Sequence, residues 1–570
     1  MSNNDGSPPI FTDPNSLRNW LATLPWLDCH NTGNCILTQI RALNHTVLST
    51  GLRYQLLEEY YPYLLQLVDG LENFLFDTAL PLSKDSKLQA MLALELYQEV
   101  SEGYLITVFA KDFLKAKELS KSDQTTALVR AIDSLQRVQV LSAQVYEPLD
   151  DTFWRKVYRL YEMAEYDNLF EDNTPSSHMP VFNQAHFLRL FLFSLCAPQR
   201  FRQRDLKQID LFLQSFAQFA EIHSKPSYQQ KKAYFHFDLY DPTPPRSAKL
   251  VEHPESIGSR FIYCQEVVKQ LLKFISNPPA ATGKSVLPVN ATRKLALQIA
   301  HSLGAPKHRK WGRMQENSEC LLVVGLEDLI AVLNKEGKIH QNLKSLLATP
   351  SGRMDENLLS TGDFDLLPLD GDELFDTGQV IYEGMERDVY QRLVNQMYST
   401  PDFGLQEKPA QRDQDNKQNH FPGKLLNSSA QGYCLIWMDH ALSKLKVGEL
   451  LVVLNHGDDL EIGAIRWLQK DPDQGLLVGI EIITFAINVV VVNLKISPDA
   501  QGEFRREWGL LIPPQPTLGR PTSLLSPAFV WQQGQWVQVH HQNGKVENYW
   551  LKSLVDSTPA FDLFALEKTV

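Results

Sequence analysis

Long hydrophobic runs are missing from this 570-residue chain. The densest, FLRLFLFSLCA at 187–197 and INVVVVNL at 487–494, stop far short of the roughly 20 apolar residues that span a bilayer, so no transmembrane segment is expected. The N-terminus, MSNNDGSPPIFTDPNSLRNW, lacks a basic stretch followed by an apolar one, and a soluble cytoplasmic protein with no secretory signal is expected. Positive charge is also short: 55 Lys and Arg face 67 Asp and Glu, for a net charge of -12. That balance excludes a broad electrostatic grip on a nucleic-acid polymer, although a local anion site stays open. Six cysteines are scattered over the length with no Cys-x-x-Cys and no His at ligand spacing, which excludes a disulfide framework and points to reduced, buried thiols. His540 and His541 alternate on one strand and face opposite sides, so no metal is expected there. Phosphate-loop, serine-hydrolase and zinc-protease patterns are all absent, and neither catalytic residues nor a cofactor are expected.

What is present divides the chain by period. From about 14 to 302 apolar residues recur at three and four, as in LRYQLLEEYYPYLLQLVDGLENFLF (52–76) and SKLQAMLALELYQEVSEGYLITVFAKDFLKA (86–116). This is the spacing of amphipathic helices with one buried stripe. SKSDQ, YEPLDD and NTPSSHMP supply caps and turns between them. The pattern predicts a large all-α domain over 14–302 behind a disordered 1–13, with no fixed repeat. SRFIYCQEVVKQLLKFIS is read as one of its last helices.

Beyond residue 306 the period shortens. SECLLVVGL (318–326) reads as a strand, followed by the helix-like EDLIAVLNKEG. Residues 345–420 are polar and acidic, as in GDFDLLPLDGDELFD (362–376), and read as insertion or linker, with a helix possible at 383–398. From 421 short strands follow one another: GKLLNSS, GYCLIWM, GELLVVLN, LEIGAIRWLQ, GLLVGIEII and NVVVVNL. Such strands, parted by tight turns, suit a small antiparallel barrel. An all-β extension over 501–570, in which Trp531 and Trp536 are read as packing residues, completes the chain.

One polar hexapeptide stands out, Asn427-Ser-Ser-Ala-Gln-Gly432, between strands GKLL and YCLIW. Asn427 and Ser429 offer hydrogen bonds from one strand edge, and Gly432 allows a close approach of backbone or ligand. An ordinary hairpin turn would read the same way. Its surroundings decide: the hexapeptide, the strand after it, and Gly448, Trp467 and Gly479 in their order resemble the PilZ domain, whose second signature is Asp or Asn, any residue, Ser, two residues, Gly. The likeness covers about 80 contiguous residues. It implies a barrel that binds cyclic di-GMP, with a first signature Arg-x-x-x-Arg closing over the nucleotide. Arg309 and Arg313 in RKWGR, just before the strand SECLLVVGL, supply that pattern. Arginine suits the task, because its fork pairs with phosphate or with guanine O6 and N7 and its plane stacks on a base.

The same pattern occurs at Arg155/Arg159 and Arg200/Arg204, read as charges on helix faces, and Lys408 with Arg412 is a degenerate rival clamp. Arg313 and Asn427 stand 114 positions apart, so the likeness requires an insertion at about 327–420 within a barrel spanning 305–500. Loop-closure entropy grows only logarithmically and permits it. The expectation is a multidomain α+β protein: an all-α N-terminal domain, a split PilZ-like barrel and a β extension. Its function would be that of a non-enzymatic cyclic di-GMP receptor, with Arg309, Arg313, Asn427, Ser429 and Gly432 as ligand residues. The helical domain would dock an unidentified protein partner. A ligand-independent helical scaffold with a degenerate barrel is the alternative, and an enzyme with an unrecognised site among the helices is a more distant one. No cyclase or phosphodiesterase signature for this nucleotide is visible.

Overall fold

The computed structural model describes residues 11–568 apart from 73–74, 76–77, 172–180, 227–233, 252–255, 277–288, 305–311, 349–419, 440–443, 455–459, 495–505 and 516–519. Its contacts divide the chain into two compact units, one built mainly from 1–272 and the other mainly from 308–570.

The first unit begins with eight helices, α1 (Pro14–Ala22), α2 (Cys29–His45), α3 (Thr50–Glu72), α4 (Lys84–Val108), α5 (Lys121–Gln144), α6 (Asp151–Tyr166), α7 (Gln184–Leu195) and α8 (Gln203–Phe216). Their starts follow from sequence chemistry. SKSDQ closes a reciprocal cap on α5, where Ser120 Oγ accepts from the Asp123 amide at 3.1 Å and the Asp123 carboxylate accepts from the Ser120 amide at 2.9 Å. Asp150 of YEPLDD accepts from the Phe153 amide and starts α6. Order begins before residue 14: Asp13 caps α1 and Phe11 lies 5.2 Å from Trp20, while the rest of the expected disordered leader falls outside the described residues.

The helices are followed by a small sheet that the helical period hid. Strands β1 (Glu221–His223), β2 (Tyr234–Asp238), β3 (Asp241–Ser247) and β4 (Ser259–Tyr263) are antiparallel in the order β1-β4-β2-β3. SRFIY is thus a strand, and only the residues after Cys264 are helical, as α9 (Gln265–Ser276). Five apolar-rich residues fit either period, and pairing with β2 and β1 decides for strand. The sheet packs its Phe237 ring against Phe191 of α7 at 4.5 Å and against Tyr158 of α6 at 5.3 Å. Helix α10 (Val289–Leu303) ends the helical stretch.

The second unit holds two closed six-stranded barrels. The first is formed by β5 (Met314–Val324), β6 (Phe421–Ser429), β7 (Gly432–Trp437), β8 (Leu450–Leu454), β9 (Leu460–Asp471) and β10 (Gly475–Thr484) in the order β10-β7-β6-β5-β8-β9, with α11 (Leu326–Lys335) and α12 (Gln341–Ala348) between β5 and β6. The second, of β11 (Asn488–Leu494), β12 (Arg506–Ile512), β13 (Ser523–Pro527), β14 (Trp536–His540), β15 (Val546–Ser557) and β16 (Phe561–Lys568), closes in the order β11-β12-β13-β16-β15-β14. What reads in sequence as a β extension is therefore a complete barrel. It takes NVVVVNL as its first strand, so that segment pairs with Arg506–Ile512 and not with the preceding strands.

Each barrel alternates inward and outward residues, yet some outward positions are buried. Leu450, Val452, Ile462 and Ala464 of the first barrel share one core with Val489, Val491, Leu510, Phe561 and Leu563 of the second. Leu329 and Leu333 of α11 and Leu343 of α12 close the same core, so the start of the expected linker is packed structure. The acidic stretch at 362–376, the possible helix at 383–398 and the Lys408/Arg412 pair lie outside the described residues.

Four of the six free cysteines are buried, whereas Cys35 is exposed and Cys29 half-buried. Among the described residues no helix is long and apolar enough to cross a membrane.

Candidate functional site

Strands β5 and β6 are antiparallel neighbours, with Cys320 opposite Gly423 and Leu322 opposite Phe421. They form a hairpin whose connection has been expanded into α11, α12 and the residues after them. The 114-position gap therefore closes in space. At the open end of the pair Gln315 faces Asn427 and Met314 faces Ser428, so Arg313 enters directly beside the hairpin that joins Ser429 to Gly432.

Arg313 is exposed and makes no ion pair among the described residues. Its charge is felt at Cys434, one strand further on: burial pushes the Cys434 thiol up, while Arg313 and a hydrogen bond from Asn427 pull it back. Arg313 and Asn427 thus converge on one thiol. Ser429 Oγ donates to the Gly432 carbonyl at 3.1 Å, which holds the turn between β6 and β7. Arg309 lies outside the described residues.

Gly432 has a second duty. A Cβ on it would stand 2.2 Å from the Ile480 carbonyl oxygen of β10, a backbone atom that cannot step aside. The glycine is required by the fold whatever it does for a ligand. Gly479 is alike: a Cβ there would come within 1.9 Å of the Trp467 indole of β9. The order of Gly448, Trp467 and Gly479 has a physical basis, since Gly448 turns into β8 at φ +83° and the other two are contact partners.

The other two Arg-x-x-x-Arg pairs are occupied elsewhere. Arg155 pairs with Asp151 one turn away at 3.7 Å, and Arg159 sits 4.0 Å over the Phe109 ring. Arg200 and Arg204 do not share a helix, because a short turn ends at Arg200 and α8 starts at Gln203. His541, without an obvious carboxylate in its own strand, finds Glu547 across the β14–β15 hairpin at 2.9 Å.

Beside the signature hairpin lies an open cavity of about 700 Å³, lined by Met314, Glu316, Ser318, Ser428, Ser429 and Tyr433 among others. It is within the range that admits a drug-sized or nucleotide ligand. Met314, Glu316 and Tyr433 were not legible as site residues. Tyr433 directly follows the signature glycine, but Glu316 reaches the cavity through a bulge between Gln315 and Ser318 that no pattern announces.

Three family descriptions match in succession along the chain: the N-terminal domain of the cyclic-di-GMP receptor FimW over 15–227, its middle PilZ domain over 234–486, and its C-terminal beta-barrel domain over 494–569. The PilZ likeness carried by the signature hairpin is thus matched by a family description over residues 234–486. The PilZ match contains the first barrel with both signatures and the α11–α12 excursion, and the C-terminal match covers the second barrel from within β11. A curated relative, the cyclic-di-GMP receptor FimW of Pseudomonas aeruginosa, is 23% identical over 562 residues, which is 97% of this chain and 90% of the relative. No solved structure matches the chain.

Proposed function

We propose that this protein is a non-enzymatic receptor for cyclic di-GMP, bound at the open end of the β5–β6 pair of the PilZ barrel. The observation that carries the proposal is the register of that pair, which sets Arg313 beside Asn427 and Ser429 across the long excursion. The similarity to a cyclic-di-GMP receptor along nearly the whole chain supports it. The ligand's chemistry fits: two phosphodiester anions and two guanine faces meet a guanidinium with no ion-pair partner among the described residues, an amide, a hydroxyl and a cavity of sufficient volume.

Each residue has a role in this proposal. Arg313, with Arg309 preceding it, clamps phosphate and base. Asn427 and Ser429 supply hydrogen bonds from the strand edge, with Ser429 Oγ exchanging its intrachain acceptor for the ligand. Gly432 keeps the turn close to β10. The segment carrying the two arginines follows α10 directly in sequence, so ordering it on the ligand would be passed to the helical region, which docks a protein partner. Isothermal titration of the full chain with cyclic di-GMP tests the receptor. Binding should be saturable in the wild type, greatly weakened by Arg309→Ala or Arg313→Ala, and untouched by Arg155→Ala. Absence of binding at tens of micromolar by a folded chain would leave the ligand-independent scaffold.

A further inference from the structure

We infer that Glu316 reads the Watson–Crick edge of a guanine seated in the cavity beside the signature hairpin. The inference rests on the proposed cyclic di-GMP site and names a determinant of its base specificity outside both signatures. From Gly312 to Glu319 every residue is exposed except Glu316, which is half-buried. The cause is the bulge between Gln315 and Ser318, which takes Glu316 out of register with β6 and places it on the cavity wall. Its carboxylate has no ion-pair partner among the described residues, and it shares the cavity with Tyr433, whose hydroxyl is pushed up first by burial, then by a hydrogen bond to Glu461 and that group's charge, and last by Glu316. Met314, 70% exposed, adds a polarizable apolar surface to that cavity.

The chemistry of this set is specific. An ionised carboxylate only accepts hydrogen bonds and can take two in parallel. Guanine presents two adjacent donors, N1–H and the 2-amino group, with matching spacing. Adenine presents the N1 lone pair and a C–H at the same places, so the carboxylate would meet a lone pair with no donor. Met314 and the Tyr433 ring supply apolar surface for the base, which leaves its edge toward Glu316. A carboxylate this close to a dianionic ligand would otherwise oppose binding, and that gives the test its sign.

Isothermal titration of wild type, Glu316→Gln and Glu316→Ala with cyclic di-GMP, cyclic di-AMP and the cyclic di-inosine analogue, which lacks the 2-amino group, decides the matter. Glu316→Gln should weaken cyclic di-GMP binding by roughly tenfold or more. The wild type should prefer cyclic di-GMP to the inosine analogue, and Glu316→Ala should erase that preference. Unchanged or tighter binding by Glu316→Gln, or a preference that survives Glu316→Ala, would overturn the inference while leaving the receptor standing. A folded wild-type chain indifferent to cyclic di-GMP would overturn both.

Discussion

The PilZ barrel and the barrel that follows it each close six antiparallel strands, and they differ in how their polar groups are paired. On the second barrel the charges of β15 and β16 satisfy one another: Glu547 takes Lys545 at 2.7 Å, Lys568 at 2.8 Å and the Tyr549 hydroxyl at 2.8 Å, and Lys552 takes Glu567 at 3.3 Å. On the first, Glu316 lines a cavity and Arg313 lies between two of its other lining residues, Gly312 and Met314, in the chain, both charges without ion-pair partners among the described residues. A surface that has matched its own charges has little left to offer a ligand. One that holds both signs apart at a cavity is prepared for a ligand carrying both anions and donors. The barrels are nevertheless not independent, since they bury one common apolar core and share an ion-pair triad in which Arg466 of β9 takes Glu481 at 2.7 Å and Asp556 of β15 at 2.6 Å.

The strongest challenge to this picture is Phe561→Ala. Phe561 belongs to the second barrel, is fully buried in the common core, and its truncation should cost about 3–5 kcal/mol. Calorimetry should show both barrels losing stability together, and a separate transition confined to the second would mean that the core is not shared in energy. Next comes Arg313→Ala, expected to remove about 2–3 kcal/mol of cyclic di-GMP binding, or about 30- to 150-fold, without moving the melting temperature. An equal loss from Lys552→Ala on the second barrel would erase the contrast in ligand readiness.

Smaller effects sharpen the link between the barrels. Arg466→Met removes the centre of the triad, leaving two part-buried carboxylates facing each other, and should cost about 2 kcal/mol. A double-mutant cycle with Asp556→Asn should show that most of the loss is shared. The smallest effect is one of pH. Burial, then the charges of Arg506 and His541, hold His540 of the second barrel below its ordinary value of 6.5. The unfolded chain therefore takes up this proton first as the medium is acidified. The contribution is complete above 6.5 and declines as pH falls below it toward the depressed folded value. Thermal melts should show a shallow loss on that side, flattened by His540→Gln, and a slope unaltered by the substitution would assign the dependence elsewhere.

Much of this protein was legible as pattern. The helical period of α1–α8, the capping chemistry of SKSDQ and YEPLDD, the strand succession after 421 and the signature Asn427-x-Ser429-x-x-Gly432 all depend on residues close in sequence, where propensity and periodicity operate. The β1–β4 sheet was missed because strands of three to seven residues carry too few alternations to outweigh neighbouring helices. The second barrel was seen only as strands, since closure is a property of pairing between β13 and β16 or β11 and β14, which no local segment expresses.

The sequence by itself determined the materials: a deficit of positive charge, two arginines before a strand, a polar hairpin after another, and glycines at fixed places. Only the tertiary structure decided which of three arginine pairs has a member beside that hairpin, because β-pairing ignores the length of chain between partners. It also decided that Gly432 and Gly479 answer to close backbone and indole contacts, and that a bulge carries Glu316 onto the cavity wall. Register across strands and contact across sheets are long-range quantities. A single chain of letters encodes them but does not display them.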